Sequence, residues 1–240
     1  MKKVIAIVPA AGLGKRFRSP VKKTFVDLRG VPLIIHTLIR LCEEKVITDV
    51  IPVLHEEDID NGFDLIKTYG LNKIKKIANG GKERQDSIYN ALQLLEHNGI
   101  ESNSIILIHD GVRPFIPDRL IERLIEELKD YDGAIPGFPV KETLKEAASD
   151  GTVISTVDRE RFWTVQTPQA FYFDTIKKAY DAAYKKGFYA TDDAALAENM
   201  GARLKIVAGS PLNIKVTTPE DMEMVEWILE RKKLTLQRQH

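Results

Sequence analysis

The chain has 240 residues, 43% of them hydrophobic and 29% charged, a balance that suits a globular fold with a sizeable core. Its 35 basic residues match its 35 acidic ones, so no global field draws it to nucleic acid or to an anionic membrane. The single cysteine, Cys42, excludes an intrachain disulfide and a cysteine-based zinc site, and fits a reducing compartment.

Val4–Val8 predicts a buried strand. The chain then turns through Pro9-Ala10-Ala11-Gly12-Leu13-Gly14 into a basic stretch that holds Lys15, Arg16, Lys22 and Lys23. Leu33–Glu43 predicts an amphipathic helix behind Pro32, on which Cys42 reads as a small buried apolar residue. Next come a strand at Val50–Leu54, a helix at Asp58–Thr68, a weaker strand at Lys73–Ala78 and a helix at Lys82–Leu95. Ser104–Ile108 predicts another strand and Asp118–Leu128 a helix with a charged outer face. Alternation of this kind predicts an α/β protein with a mostly parallel sheet covered by helices on both sides.

The rhythm breaks after Ala134–Phe138. Extended pieces around Glu142–Lys145 and Val153–Val157 flank Ser149-Asp150-Gly151, and Asp-Gly is a hairpin-turn signal. Residues 139–164 are therefore either an arm that projects and packs on a partner or an antiparallel extension of the sheet's edge. Asp174–Lys185 and Ala194–Met200 predict helices, the second capped from Thr191-Asp192-Asp193. Strands at Arg203–Val207 and Asn213–Val216 precede a last helix, Glu220–Lys232, opened by Thr218-Pro219; Leu234–His240 is expected to fray. With no linker or repeat, residues 1–240 read as one domain plus the arm. No apolar run is long enough to span a bilayer. Met1-Lys2-Lys3 leads into a short strand and not into a signal-peptide core, so a cytoplasmic location is expected.

Three rims carry chemistry. In the first loop, small residues let backbone N–H groups approach a polyphosphate, and the cations neutralise it. The third glycine of a dinucleotide fingerprint is missing, since Phe17 stands in its place. A dinucleotide-dependent oxidoreductase is thereby disfavoured. The bland reading of this loop is a glycine-rich turn with solvated charges. In Asn79-Gly80-Gly81-Lys82-Glu83-Arg84-Gln85-Asp86-Ser87, a double glycine lies between a strand and a helix, where open sheets place ligands. The Gly81 backbone and Ser87 hydroxyl could read a small base there, or the segment is a capped turn and no more. In His109-Asp110-Gly111-Val112-Arg113-Pro114, an acid at a strand end suits a largely hydrated Mg²⁺ that bridges to phosphate. Arg113 is placed for an anionic substrate, and His109 reads as structural. Further along stand Thr143, Arg159, Thr167-Pro168-Gln169, and Lys215 inside an apolar segment that is costly to bury without an anionic partner.

The ordered set Pro-Ala-Ala-Gly-x-Gly-x-Arg, Gly-Gly-x-x-Arg-x-x-Ser, His-Asp-x-x-Arg-Pro, Thr-x-Asp-Arg, Thr-Pro-Gln and Asn-Ile-Lys-Val-Thr resembles the 2-C-methyl-D-erythritol 4-phosphate cytidylyltransferases, over about residues 4 to 230. The resemblance implies a Rossmann-like nucleotidyltransferase fold, CTP, Mg²⁺, and a homodimer in which a β-arm from each subunit completes the other's site. It implies that Arg16, Lys23 and Lys215 hold the triphosphate and stabilise charge at the α-phosphorus. Ala10, Ala11, Gly12 and Gly14, with Gly81, Ser87 and Asp110, match the nucleotide contacts, and Asp110 the acid near the metal. Arg113, Thr143, Arg159 and Thr167 match the binding groups for methylerythritol phosphate, with Thr143 and Arg159 arriving from the neighbouring subunit. Family loops commonly read Pro-Lys-Gln where this chain has Lys22-Lys23-Thr24, so Lys22 and Lys23 compete for one role. Lys82 stands where an acid is common. A cytidylyltransferase for another polyol phosphate, such as ribitol 5-phosphate, shares the nucleotide loop. A non-catalytic nucleotide-binding regulatory domain would be expected to lose Arg16, Lys23 or Lys215.

Overall fold

The computed structural model of the chain describes residues 2–12 and 22–237, and side chains up to residue 231. The strands are β1 (Val4–Pro9), β2 (Asp49–Leu54), β3 (Ala78–Asn79), β4 (Ile105–Ile108), β5 (Gly133–Pro139), β6 (Leu144–Ala147), β7 (Val153–Val157), β8 (Trp163–Val165), β9 (Gln169–Tyr172) and β10 (Leu204–Ala208). The helices are α1 (Leu33–Glu43), α2 (Ile59–Thr68), α3 (Arg84–His97), α4 (Leu120–Glu127), α5 (Phe173–Lys186), α6 (Asp193–Glu198) and α7 (Pro219–Gln237).

The main sheet runs β10-β5-β9-β4-β1-β2-β3, with β8 paired to β5. The pairs β1·β2, β1·β4, β2·β3 and β10·β5 are parallel, while β9 lies antiparallel between β4 and β5. Successive side chains of a strand face opposite ways, and β1 divides accordingly. Val4, Ala6 and Val8 join Ile34, Ile35 and Leu38 of α1 and Leu120, Ile121 and Leu124 of α4 in one core. Ile5 and Ile7 join Ile88, Ala91 and Leu92 of α3 and Phe171, Ile176 and Tyr180 in the other. A third cluster packs Met222, Val225 and Ile228 of α7 on Leu28, Leu33, Val112 and Val216. The mostly parallel sheet flanked by helices is thus the one the alternation predicts, with β1 buried on both faces.

Four expectations are corrected. The Lys73–Ala78 strand shrinks to Ala78–Asn79. Its basic part is held instead by single bonds, Val50 N–H to the Lys73 carbonyl and Lys73 Nζ to the Glu44 carbonyl. Asn213–Val216 forms no strand; the backbone bond from Val216 N–H to Val112 O and the Asn213 side-chain bond to Thr167 O pin it across the third loop. The strand β9 has no counterpart among the expected elements, because four residues behind Pro168 are too few for a period to show. Helix α7 runs past Lys232 to Gln237, into the segment expected to fray.

The hairpin does form about Gly151, whose φ of 87° only glycine adopts readily. Strands β6 and β7 pair with each other in their own two-stranded sheet, and the return strand β8 pairs with the end of β5. Residues 139–164 thus hold a hairpin with its own pairing, followed by a short antiparallel pairing of β8 with β5, an interior strand and not the sheet's edge.

Candidate active site

Three loops leave the carboxyl ends of β1, β3 and β4, and bare backbone brings them together. A methyl group added at Gly80 would lie 2.3 Å from the Ala11 Cβ, and one at Gly111 would lie 3.0 Å from the Ala10 Cβ. Only hydrogen at those two positions lets the loops touch. A methyl group added at Gly12 would meet no atom of the described residues within 4 Å. The Thr24 hydroxyl donates to the Ala10 carbonyl at 3.0 Å, so the far end of the first loop returns to its start. Gly14 and Arg16 lie outside the described residues.

Lys22 and Lys23 flank the start of a 3-10 turn, Lys23–Phe25. Lys22 pairs with Glu57 and, at 2.7 Å, with Asp58, at the entry to α2. Lys23 is half-buried on the same turn.

In the second loop, the Gly81 N–H donates to the Ser87 hydroxyl at 3.0 Å, and that hydroxyl donates to the Glu83 carbonyl at 3.1 Å. The two groups expected to read a base therefore bind one another here. A capping box between Glu83 and Asp86 fixes the start of α3 behind them.

The third loop holds the densest charge. Asp110 is 5% exposed and meets three cations: Arg84 Nε at 3.3 Å on Oδ1, and Arg113 Nε at 3.2 Å and Lys215 Nζ at 3.0 Å on Oδ2. Burial opposes ionisation of this carboxyl. Arg84, Lys215 and Arg113 outweigh that opposition and hold it well below the usual carboxylate range. The anionic partner demanded by Lys215 is Asp110. Arg113 also donates to the Asn213 carbonyl at 2.8 Å, which ties the Lys215 segment to this loop.

Beneath Asp110, the Thr167 hydroxyl accepts from the Asp110 N–H at 3.1 Å and meets His109 Nδ1 at 3.0 Å. His109 Nε2 faces the Arg113 carbonyl at 3.0 Å, so Nε2 carries the hydrogen and Nδ1 accepts from Thr167. Complete burial, opposed by the Arg113 carbonyl and Asp110, pushes this imidazole down to about 4 and keeps it neutral. His109 is structural, as expected. The Thr167 hydroxyl is engaged with the scaffold.

Asp110, Arg113, Thr167 and Lys215 are thus assembled by the fold. Thr143 and Arg159 stand elsewhere, exposed at the base of the hairpin, where Arg159 donates to the Lys141 carbonyl. Neither makes a hydrogen bond or ion pair with the Asp110 cluster of this chain. The residues missed from sequence are Arg84, present in a quoted motif but given no role, and Asp193 and Tyr180. Asp192 and Asp193 read together as a helix cap. Asp192 does cap α6, accepting from Ala195 N–H, but Asp193 turns inward to Arg84. Nothing local distinguishes two adjacent acids that face opposite ways.

The family model described as "2-C-methyl-D-erythritol 4-phosphate cytidylyltransferase" matches residues 4–231. A relative of that name from Syntrophus aciditrophicus is 41% identical over 96% of this chain and 97% of its own. Another of that name, from Clostridioides difficile, is 43% identical over 95% and 94%. The solved structure of a 4-diphosphocytidyl-2C-methyl-D-erythritol synthase from Anaerococcus prevotii is similar with a TM-score of 0.82 at 30% identity, over 95% of this chain and 96% of that one. Matching sequence from end to end of the sheet, a shared fold, and three glycine-lined loops gathered on one cationic cluster leave one assignment: the chain belongs to the 2-C-methyl-D-erythritol 4-phosphate cytidylyltransferase family.

Proposed function

We infer that the chain transfers CMP from CTP to 2-C-methyl-D-erythritol 4-phosphate, giving 4-diphosphocytidyl-2-C-methyl-D-erythritol and pyrophosphate in the non-mevalonate route to isoprenoids. The observation that carries the site's role is Lys215 held 3.0 Å from a buried Asp110, beside loops that expose backbone to a phosphate chain. A phosphate oxygen of the substrate attacks the α-phosphorus of CTP. The bond from that phosphorus to the β-phosphate bridge breaks, and its electron pair leaves with pyrophosphate. A phosphomonoester has a second pKa of about 6, so the attacking dianion exists at neutral pH and no base is needed. The neutral, enclosed His109 agrees with this.

What the protein supplies is position and positive charge. Arg16, Lys23 and Lys215 take the triphosphate. Lys22 is paired with Asp58 and Glu57 at the entry to α2, and Lys23 is assigned the loop-lysine role from the family pattern. The backbones of Ala10, Ala11, Gly12, Gly14 and Gly81, with Ser87, take the base and ribose. Arg113, Thr143, Arg159 and Thr167 bind the second substrate. Arg113 acts through the guanidinium nitrogen that no described group engages.

For Mg²⁺, Asp110 is a fitting single anchor. Three of the roughly four acceptor sites of its carboxylate are engaged, and Mg²⁺ keeps most of its waters where one carboxylate and phosphates hold it. Bound there, the ion would neutralise phosphate charge. No group of three or more potential metal ligands exists among the described residues.

The chain acts as one nucleotidyltransferase domain, with the arm at about 139–164 reaching a second copy. Support comes from exposed apolar residues along it: Val153, Ile154, Phe162, Trp163 and Val165. Thr143 and Arg159, detached from this chain's own cluster, then serve the partner's site. A cytoplasmic setting is part of the same reading; no helix among the described residues is long and apolar enough to cross a membrane.

The test is pyrophosphate release from CTP and Mg²⁺ with methylerythritol phosphate or ribitol 5-phosphate as acceptor. Release with the first, and a loss of roughly 10²–10³ in turnover for Lys215→Ala, is expected. Release with ribitol phosphate alone overturns the substrate assignment.

A further inference from the structure

Arg84 opens α3 directly behind the second loop, yet its guanidinium reaches across to the loop after β4 and the start of α6, beside the central strands. Its Nη1 and Nη2 meet both oxygens of Asp193, at 3.0 and 2.7 Å, and its Nε reaches Asp110 Oδ1 at 3.3 Å. One planar fork therefore joins two buried carboxylates, 0% and 5% exposed. Asp193 is itself fixed. Tyr180 donates to its Oδ1 at 2.5 Å from the interior of α5. The start of α6 is bolted to β9, where Gln169 donates to Asp192 at 2.7 Å and accepts from Ala194 N–H at 2.9 Å.

The chain of contacts then runs from the core to the reacting charge. Asp193 holds Arg84, Arg84 holds Asp110 Oδ1, and the remaining oxygen, Oδ2, receives Lys215 Nζ at 3.0 Å beside Arg113 Nε at 3.2 Å, so that Arg84 is the cation on the other oxygen. A carboxylate pinned at one oxygen cannot rotate about its last bond without losing that partner. We propose that Arg84, clamped by Asp193, is a positioning residue that sets the orientation of Asp110 and, through it, the place of the Lys215 ammonium. This rests on the cytidylyl-transfer reading above and adds to it a pair that touches neither substrate. Asp193 has a second consequence. When Lys215 leaves Asp110 for phosphate, or Asp110 takes up a metal, Arg84 keeps a complete bidentate partner and stays in place.

A purely structural ion pair and a positioning device differ in one measurable way. Removing Arg84 alone strands the buried Asp193 charge, which destabilises any fold. Replacing both, as Arg84→Met with Asp193→Asn, removes that charge, keeps an acceptor for the Tyr180 hydroxyl and leaves Asp110 Oδ1 without its Arg84 contact. The double variant is expected to regain most of the melting temperature lost by Arg84→Met. Its kcat at saturating CTP should stay about 10–100-fold below wild type with the CTP KM within about threefold, as for a group displaced by near an ångström. Arg84→Lys, which can reach only one carboxylate well, should recover stability more than kcat. Wild-type kcat in the stable double variant would overturn the proposal. So would a crystal structure of that variant with Lys215 Nζ still 3.0 Å from Asp110 Oδ2. The crystallographic result does not depend on the identity of the substrate. A wild-type enzyme inactive with methylerythritol phosphate would therefore sink the functional reading and leave this one to be decided by the coordinates.

Discussion

Gly80→Ala isolates the contact that joins the first two loops. The new methyl group would stand 2.3 Å from the Ala11 Cβ and 3.2 Å from the Leu54 carbonyl oxygen. Carbon atoms rest about 3.5–4.0 Å apart. Ala11 has no rotamer to change, and the Leu54 oxygen already accepts the Gly80 N–H at 2.7 Å. The backbone of Ala10–Gly12 must therefore yield, at a cost of about 1–3 kcal/mol for an overpacked site. In a chain of this size that lowers the melting temperature by roughly 2–10 °C. The same shift displaces the phosphate-facing backbone, so kcat/KM for CTP should fall about 10–100-fold. Ala11→Gly in the same chain removes the opposing methyl and should restore most of both quantities. Pyrophosphate release and thermal melts of the two single variants and the double variant form a cycle, and a coupling of about 1–2 kcal/mol is expected. Gly80→Ala with kcat/KM within about twofold of wild type, or no relief from Ala11→Gly, would refute the argument that bare backbone assembles the loops.

The two lysines at the end of the first loop should separate cleanly. Lys23→Ala is expected to lower turnover roughly 10²–10³-fold, whereas Lys22→Ala removes a partly exposed pair worth up to about 1 kcal/mol and leaves turnover nearly intact; steady-state rates decide between them, and the reverse order would move the role to Lys22. His109 predicts an acid-limb loss of stability. In the unfolded chain it takes up a proton as pH falls through about 6.5, in the folded chain only near 4. Between those values the unfolded state binds more protons, so stability declines as pH drops, by roughly 3 kcal/mol across the window. Urea unfolding in the presence of a chelator from pH 7 to 4 measures it, and a flat wild-type profile, or a slope that persists unchanged in His109→Gln, contradicts a buried neutral imidazole. Ile154, 61% exposed on β7, tests the arm. Ile154→Asp should shift the mass seen by light scattering from dimer to monomer and depress turnover, and an unchanged dimer would place the interface elsewhere.

Much of the fold is legible because period and propensity agree with burial. Leu33–Glu43 forms over the expected residues, since Ile34, Ile35, Leu38 and Leu41 already mark its buried stripe. Residues 73–77 mislead because Ile74 and Ile77 among three lysines look like a weak strand, while only Lys73 bonds to the neighbouring backbone of β2, and edge pairing is decided by neighbours the local sequence does not name. The site divides in the same way. Asp110, Arg113 and Lys215 stand out as polar groups beside apolar runs, and the fold places all three together. Asp193 and Tyr180 lie within unremarkable helices, and only tertiary packing turns them toward Arg84. The Gly81–Ser87 bond was equally out of reach, because a hydroxyl beside a helix start has several local acceptors to choose from.

The antiparallel course of β9 has a consequence for how this enzyme can diversify. Chain leaves the sheet along β5, makes the hairpin, and returns through the middle of the same sheet instead of along its border. Both roots of the hairpin are thereby clamped in rigid architecture, while its tip at Gly151 bears on none of the three interior clusters. Selection can lengthen, recolour or re-aim that tip without renegotiating how the protein folds.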